Sequence, residues 1–141
     1  VYSRPANRFV ADFIGRVNFF PCTDASFSGE GLDADYRGVR IQAGSRNGDV
    51  REGGPAVVAV RPESLRLEPE SGSGAPFLRG RIDKAVYLGA IVEYEIDAGL
   101  DRPVMAVSHD PVVAGFFRIG DPVSLSFPPA AAHALAPEAV P

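Results

Sequence analysis

The chain has 141 residues, of which 45% are hydrophobic and 23% charged, and its formal net charge at pH 7 is −4. This composition is typical of a soluble globular protein with one domain or two small subdomains. An acidic chain lacks the basic surface that neutralises phosphates, so nucleic acid is disfavoured as a partner. The single cysteine, Cys22, excludes an internal disulfide and a multi-cysteine metal site, and it favours a reducing, cytoplasmic setting.

Residues 1–17 predict a short helix that ends near Gly15. Apolar residues recur there at the spacing of one helical face: Val10, Phe13, Ile14 and Val17. The segment lacks the continuous apolar core of an export signal, and no later stretch offers the roughly 18 apolar residues of a membrane span. We therefore expect neither an export signal nor a membrane anchor.

Residues 18–68 form the first predicted β segment. Residues 32–43 alternate in polarity on either side of Arg37 and Gly38, which is typical of a β-hairpin with a tight turn. Residues 56–60 (AVVAV) form a continuous apolar run, which predicts a strand covered on both faces at the centre of a sheet. A proline after this run ends the strand.

Residues 69–76 are rich in Gly, Ser and Pro and predict a loop that divides the chain. Residues 77–129 then form a second β segment, in which residues 92–96 alternate between apolar and acidic types and predict a strand with one buried face. Short strands separated by glycines suit a small closed or nearly closed barrel. The prolines of the tail, residues 130–141, favour disorder over a last helical turn.

Ser108, His109 and Asp110 combine the residue types of a nucleophilic triad. Adjacent residues on a strand point in different directions, however, whereas a triad is assembled from separated positions. His133 lies far along the chain from His109 and Cys22, so these residues show no metal-binding spacing. The sequence therefore predicts neither a catalytic residue nor a metal site.

Four stretches of the chain resemble the C-terminal regulatory part of ATP-binding-cassette (ABC) importer ATPases, known as the transport-associated OB (TOBE) domain. They are VYSRPANRFVADFIGRVNFFP at residues 1–21, VVAVRPESLRL at 57–67, GRIDKAVYLGAIVEYEI at 80–96 and GDPVSLSFPP at 120–129. They occur in the family's order and cover nearly the whole chain. The first stretch is most similar to the junction found in the polyamine (spermidine and putrescine) and iron importer branch.

The resemblance implies a mainly β, OB-like small barrel preceded by a connector helix at residues 1–17. It also implies that residues before Val1 belong to an ATPase domain and that the chain is a fragment. A P-loop requires a glycine-rich turn followed by a lysine, and the only lysine, Lys84, has a strand-like context. The chain itself is therefore expected to be no enzyme and to hold no cofactor, whereas the parent subunit would use ATP and magnesium.

The function implied by the resemblance is that of a non-catalytic regulatory and dimerisation domain of an importer ATPase subunit. The implied partners are a second copy of the chain, its own ATPase domain and a membrane permease. The domain would lie on the cytoplasmic side of the membrane, and the transported solute would be of polyamine type. Two other hypotheses remain open: a small-molecule sensor that binds the solute or an anion, and a single-strand nucleic-acid-binding OB module. The last needs aromatic groups in a basic groove, which the acidic balance disfavours.

Carboxylates beside tyrosines are candidates for ligand binding. Glu93 and Glu95 flank Tyr94, and residues 33–36 have a similar composition around a second tyrosine. Carboxylates and an aromatic face together suit an ammonium ligand. An outward, solvated sheet face explains the same alternation.

The end of the 56–60 run carries a second polar candidate, Arg61. Its guanidinium can hold a carboxylate of a partner, or that of Glu63 or Glu68 within the same domain.

Apolar residues in the first helix and in a later loop are candidates for an interface. These residues are Phe9, Val10, Phe13, Ile14, Phe116 and Phe117. The first four form one helical face that can pack on the chain's own barrel or on a neighbour. The two adjacent phenylalanines of the loop cannot both point into one core, so one of them is a candidate contact residue.

Overall fold

The structure, a computed structural model, describes residues 17–70, 77–109 and 116–140. Its strands are β1 (Asn18–Ser28), β2 (Gly31–Tyr36), β3 (Val39–Ala43), β4 (Ser45–Arg46), β5 (Ala56–Val60), β6 (Arg66–Pro69), β7 (Leu78–Leu88), β8 (Ile91–Asp97), β9 (Val104–Ser108), β10 (Pro122–Ser126) and β11 (Ala132–Leu135). Helical structure within these ranges is limited to three short 3-10 turns: Pro62–Ser64, Pro129–Ala131 and Pro137–Ala139. The mainly β prediction is confirmed, and the predicted connector helix lies outside the described residues.

The chain divides into two compact units, one made of residues 1–61 with 128–141 and the other of residues 62–127. The division thus lies at Pro62 and not at the predicted loop of residues 69–76. Proline donates no hydrogen bond to a strand ladder, so β5 ends before it. The next strand, β6, pairs with β10, which places it in the second unit.

The first unit is a closed barrel with the strand order β3-β2-β1-β5-β11-β4. Its two ends, β3 and β4, are separated in the chain only by Gly44, so one continuous segment joins them. The Gly44 backbone N–H donates to the Pro129 carbonyl oxygen at 2.7 Å. A Cβ atom at position 44 would come within 2.9 Å of that same oxygen, which explains the glycine at this close approach.

Strand β5 lies between β1 and β11 in the sheet of this barrel, and all five of its residues are buried. The prediction of a central strand covered on both faces is therefore confirmed. The β2–β3 hairpin is also confirmed, because Tyr36 pairs with Val39 across its turn. Arg37 (φ 52°) and Gly38 (φ 90°) both have positive φ, which matches the right-handed twist of the two strands.

The described part of the tail, residues 130–140, contains a strand, in contrast to the predicted disorder. Strand β11 pairs antiparallel with β5 and parallel with β4, and Ala134 and Leu135 are fully buried. Pro129 and Pro137 begin the 3-10 turns on either side of the strand. Their missing N–H groups therefore leave the strand ladder intact.

The second unit is a five-stranded sheet with the order β6-β10-β7-β8-β9. The long hairpin of β7 and β8 dominates it, with a register irregularity between Ile82 and Lys84. Val92, Tyr94 and Ile96 of β8 are at most 1% exposed, which confirms the predicted buried face. The same alternation directs the acidic residues of β8 to the opposite face.

Candidate functional site

The predicted ligand group of Glu93, Tyr94 and Glu95 is not assembled. The Tyr94 side chain is buried, its hydroxyl accepts a hydrogen bond from the Phe117 backbone N–H at 3.2 Å, and its ring packs edge-on against Phe117. Glu93 and Glu95 lie half-buried on the other face of β8, where Glu95 is 3.8 Å from the Lys84 ammonium. Tyr94 therefore offers no aromatic face to a ligand of these carboxylates.

The second acidic stretch, on β2, is engaged in a surface ion-pair network. Arg40 lies 2.8 Å from Asp33 and 3.3 Å from Asp24, and the hydrogen bond with Asp33 raises the pKa of the arginine. Tyr36 is buried, and this burial raises the pKa of its phenol. The sequence reasoning missed Arg40, although the hairpin register that places it opposite Asp35 was readable from the turn.

Arg61 and Glu63 are both exposed, on either side of the buried Pro62. Arg61 directly follows the end of β5, as predicted, and Glu63 lies in the 3-10 turn. Their pairing with each other or with a partner stays a prediction.

Cys22 is buried on β1, and its thiol donates a hydrogen bond to the Phe20 carbonyl oxygen at 3.2 Å. Burial raises the pKa of this thiol to about 12. Because the thiolate is the reactive form, Cys22 is poorly suited to nucleophilic or redox chemistry.

Exposed apolar side chains lie at the end of β7, with Val86 (49% exposed) and Leu88 (49%) on one face of the strand and Tyr87 (60%) on the other. Tyr87 meets Phe116 (54% exposed), and we refer to these two residues as the apolar patch. The rings of Tyr87 and Phe116 lie 6.0 Å apart between centroids. The neighbouring Phe117 turns away to pack on Tyr94, so the two adjacent phenylalanines point in different directions.

The sequence reasoning missed the exposed apolar residues at the end of β7, which are Val86, Tyr87 and Leu88. A usable signal was present, because three consecutive apolar residues cannot all face the core of a strand with a period of two. Patches of exposed large apolar side chains mark surfaces for association or binding. The predicted interface residues Phe9, Val10, Phe13 and Ile14 lie outside the described residues.

A cleft of about 560 Å³ adjoins the patch at Phe116. Its described lining consists of Pro69, Glu70, Phe116, Phe117, Asp121 and Pro122. Asp121 accepts a hydrogen bond from the Arg118 backbone N–H at 2.8 Å, which fixes the turn beside the cleft. The cleft thus joins aromatic and carboxylate groups, the combination that the sequence reasoning placed at Tyr94.

Within the described ranges, no three His, Cys, Asp or Glu side chains are grouped so that they could hold a metal ion. No helix in the described part of the chain is long and apolar enough to cross a membrane.

Several proteins are similar to this chain in sequence. The spermidine/putrescine import ATP-binding protein PotA 2 of Pseudomonas aeruginosa is 33% identical over 131 residues, which cover 90% of this chain and 36% of the relative. The corresponding PotA of Ruegeria pomeroyi is 37% identical, covering 96% and 36%. The Fe(3+) ions import ATP-binding protein FbpC of Brucella abortus is 31% identical, covering 90% and 33%. The chain thus spans about a third of the length of these relatives.

A solved structure and a family model agree with this relationship. The fold is similar to that of the cytoplasmic molybdate-binding protein ModG, with a TM-score of 0.68, 14% sequence identity, and coverage of 88% of this chain and 99% of that one. This likeness confirms the predicted OB-like architecture. The model of the TOBE domain matches residues 58–135, which is more than half of the chain. The chain belongs to the TOBE domain family.

Proposed function

We propose that this chain is the non-catalytic regulatory domain of an ABC importer ATPase subunit. The observation that carries the proposal is the TOBE match, together with relatives that are import ATP-binding proteins and extend well beyond the matched third. ATP and magnesium would then be bound by the rest of the subunit, which would contact a membrane permease from the cytoplasm. This chain would contribute no residue to ATP hydrolysis.

We further propose a polyamine as the solute of the importer. The support is that relatives named as spermidine/putrescine import ATP-binding proteins are 29–37% identical to this chain; the iron import relative from Brucella abortus lies within the same range, at 31%.

The proposed action of the domain is to hold two ATPase subunits together through the apolar patch. A two-fold interface must be complementary to itself. The paired rings of Tyr87 and Phe116 form such a surface, because an aromatic pair carries no charge that the same patch of a second copy would repel.

Such a tether acts through effective concentration. Two ATPase subunits that stay linked while their nucleotide sites are open meet again in an intramolecular step, which is faster than a new encounter between free subunits. The domain then affects the transport cycle without touching the nucleotide.

The double substitution Tyr87→Ser/Phe116→Ser tests this interface. We expect it to weaken self-association of the chain by at least about tenfold, because exposed aromatic anchors carry much of the binding energy of an interface. Sedimentation across a concentration series gives the dissociation constant. Val39→Ser is the matched control, since Val39 is 40% exposed but lies in the first unit. Equal weakening by the control would contradict the assignment of the patch.

A second candidate function is a sensor for an organic cation, and the cleft at Phe116 favours it. Aromatic faces and the carboxylates of Glu70 and Asp121 suit ammonium groups. ModG is named as a molybdate-binding protein, but two carboxylates do not suit an oxyanion.

Calorimetric titration with spermidine and with molybdate tests the sensor. We expect heat with spermidine only, and we expect Glu70→Gln to reduce it because the substitution removes one carboxylate from the cleft. Glu63→Gln is the control, since Glu63 is also exposed but lies outside the cleft lining. No heat with spermidine, or equal loss in both variants, would remove this candidate.

A further inference from the structure

The first unit is closed by a very short strand pairing. Strands β4 and β11 share two residue pairs, His133 with Ser45 and Ala134 with Arg46. Two backbone N–H groups flank these pairs. The Gly44 N–H is shared between the carbonyl oxygens of Pro129 (2.7 Å) and Ala132 (3.1 Å), and the Asn47 N–H donates to the Ala134 carbonyl oxygen at 2.9 Å. We refer to this pairing of β4 with β11 as the seam. Because the seam is so short, it depends on its side chains for additional contacts.

The imidazole of His133 supplies those contacts with both ring nitrogens. Nδ1 lies 2.5 Å from the Ser45 hydroxyl oxygen, and Nε2 lies 2.6 Å from the Asn47 side-chain oxygen. We refer to Ser45, Asn47 and His133 together as the seam triplet. One half-buried side chain on β11 thus bridges two residues at β4.

The neutral imidazole fits this arrangement. The side-chain oxygen of Asn47 only accepts, so Nε2 carries the proton and donates it, while Nδ1 accepts from the Ser45 hydroxyl. A second proton on the ring turns Nδ1 into a donor. The Ser45 hydroxyl must then rotate to accept, and its own proton loses the ring nitrogen as acceptor. The Asn47 amide nitrogen is already buried without a hydrogen-bond partner among the described residues. The triplet therefore has little capacity to compensate for the hydrogen bond that the Ser45 hydroxyl loses.

The charged groups on the elements packed against β11 are few. On the neighbouring strands and the following turn they are Asp33, Asp35, Arg40, Arg46 and Glu138. Arg40 is paired with Asp33, and the Asp35 carboxylate accepts from the Gly38 N–H. The guanidinium of Arg46 is held by the carbonyl oxygens of Gly29 and Gly31 and over the Phe27 ring. Glu138 is exposed on the 3-10 turn, and β5 contributes only apolar residues.

We propose that the seam triplet is a proton-sensitive closure of the barrel, in which a second proton on His133 loosens the pairing of β4 with β11. The inference goes beyond the proposed function and does not rest on it. Burial lowers the pKa of His133 from its ordinary value of 6.5, in agreement with the geometry. The unfolded or opened chain therefore takes up the proton first as the pH falls below about 6.5, so the closed form loses stability in that direction.

Hydrogen exchange of the backbone amides tests the closure in the 141-residue chain. We expect protection of the Gly44 and Asn47 amides, corrected for intrinsic exchange, to fall severalfold between about pH 8 and about pH 5. The Gly53 amide, which donates to the Ala25 carbonyl oxygen in the same unit, is the internal control. Equal pH dependence of all three amides would overturn the proposal.

Two substitutions separate the triplet from general acid effects. Asn47→Asp places a carboxylate beside Nε2, so we expect the pKa of His133, followed by NMR, to rise and the loss of protection at low pH to disappear. His133→Gln removes the titrating group, and the selective pH dependence should vanish with it. If that variant does not fold, the titration of wild type and Asn47→Asp decides, with the exposed His109 as the reference signal. A His133 signal unmoved by Asn47→Asp would contradict the contact itself.

Discussion

Tyr94→Ala is expected to lower the free energy of unfolding by about 3–5 kcal/mol, the usual cost of truncating a buried aromatic residue. Tyr94 is the largest fully buried side chain in the described part of the chain. Its ring packs against Phe117, and its hydroxyl accepts the Phe117 N–H. The substitution therefore leaves both a cavity and an unsatisfied backbone donor.

Urea denaturation measures this loss, with an unchanged slope as the sign that only stability has altered. Tyr94→Phe keeps the ring and should cost only about 1–3 kcal/mol, because it removes the acceptor alone. Tyr87→Ala, measured at a protein concentration below the dissociation constant of the dimer, is the matched control on the neighbouring strand, where the side chain is 60% exposed. A surface change of this kind is usually within about 0.5 kcal/mol. Equal losses in Tyr94→Ala and Tyr87→Ala would contradict the described packing of β7 and β8.

Gly31→Ala is expected to destabilise the chain by about 3 kcal/mol, at the upper end of the range for overpacking, or to prevent folding. A Cβ atom at this position would overlap the Ala43 carbonyl oxygen and approach the Gly44 carbonyl carbon at 2.7 Å. Both obstacles are backbone atoms of the barrel segment that joins β3 to β4. They cannot move aside as the end of a flexible side chain would.

Gly48→Ala provides the control in the same unit. A Cβ atom there meets nothing within 4 Å, and Gly48 is not among the glycines with positive φ. The substitution should be neutral or should stabilise the chain by roughly 0.4–1 kcal/mol through the unfolded state. Thermal or urea unfolding compares the two variants directly. A Gly31→Ala chain as stable as Gly48→Ala would show that the barrel does not close as described.

The strands predicted correctly are those whose signal is local. Residues 56–60 were recognisable as a buried strand because their apolar run exceeds what one buried face requires. The β2–β3 hairpin followed from the turn at Arg37 and Gly38. In β8, the period of two identified the buried face of Tyr94. Each signal lies within a few residues of the structure that it predicts.

The errors concern pairings between residues far apart in the chain. Strand β11 forms because it pairs with β5 and β4. The alanine- and proline-rich sequence of the tail does not indicate these partners. The position of the division at Pro62 likewise depends on the pairing of β6 with β10. Local composition predicted a disordered tail and a division at residues 69–76, because it contains no information on the partners of β11 and β6.

The residue types of the candidate site could be predicted, but their grouping in space could not. The sequence showed that aromatic and acidic groups were available and that Phe116 and Phe117 would diverge. The cleft instead combines Glu70 with Phe116 and Asp121, which come from two separate parts of the chain. The patch required the exposure of Tyr87, which the alternation of β7 alone did not give.

Sedimentation velocity of the 141-residue chain over a wide concentration range, with and without spermidine, tests the proposed tether most directly. We predict a reversible dimer whose fraction rises with protein concentration and does not depend on spermidine. A single monomeric species at high concentration would contradict the proposal that this TOBE domain holds two subunits together. A change of mass or shape that appears only with spermidine would contradict it as well, and would favour the sensor at the Phe116 cleft.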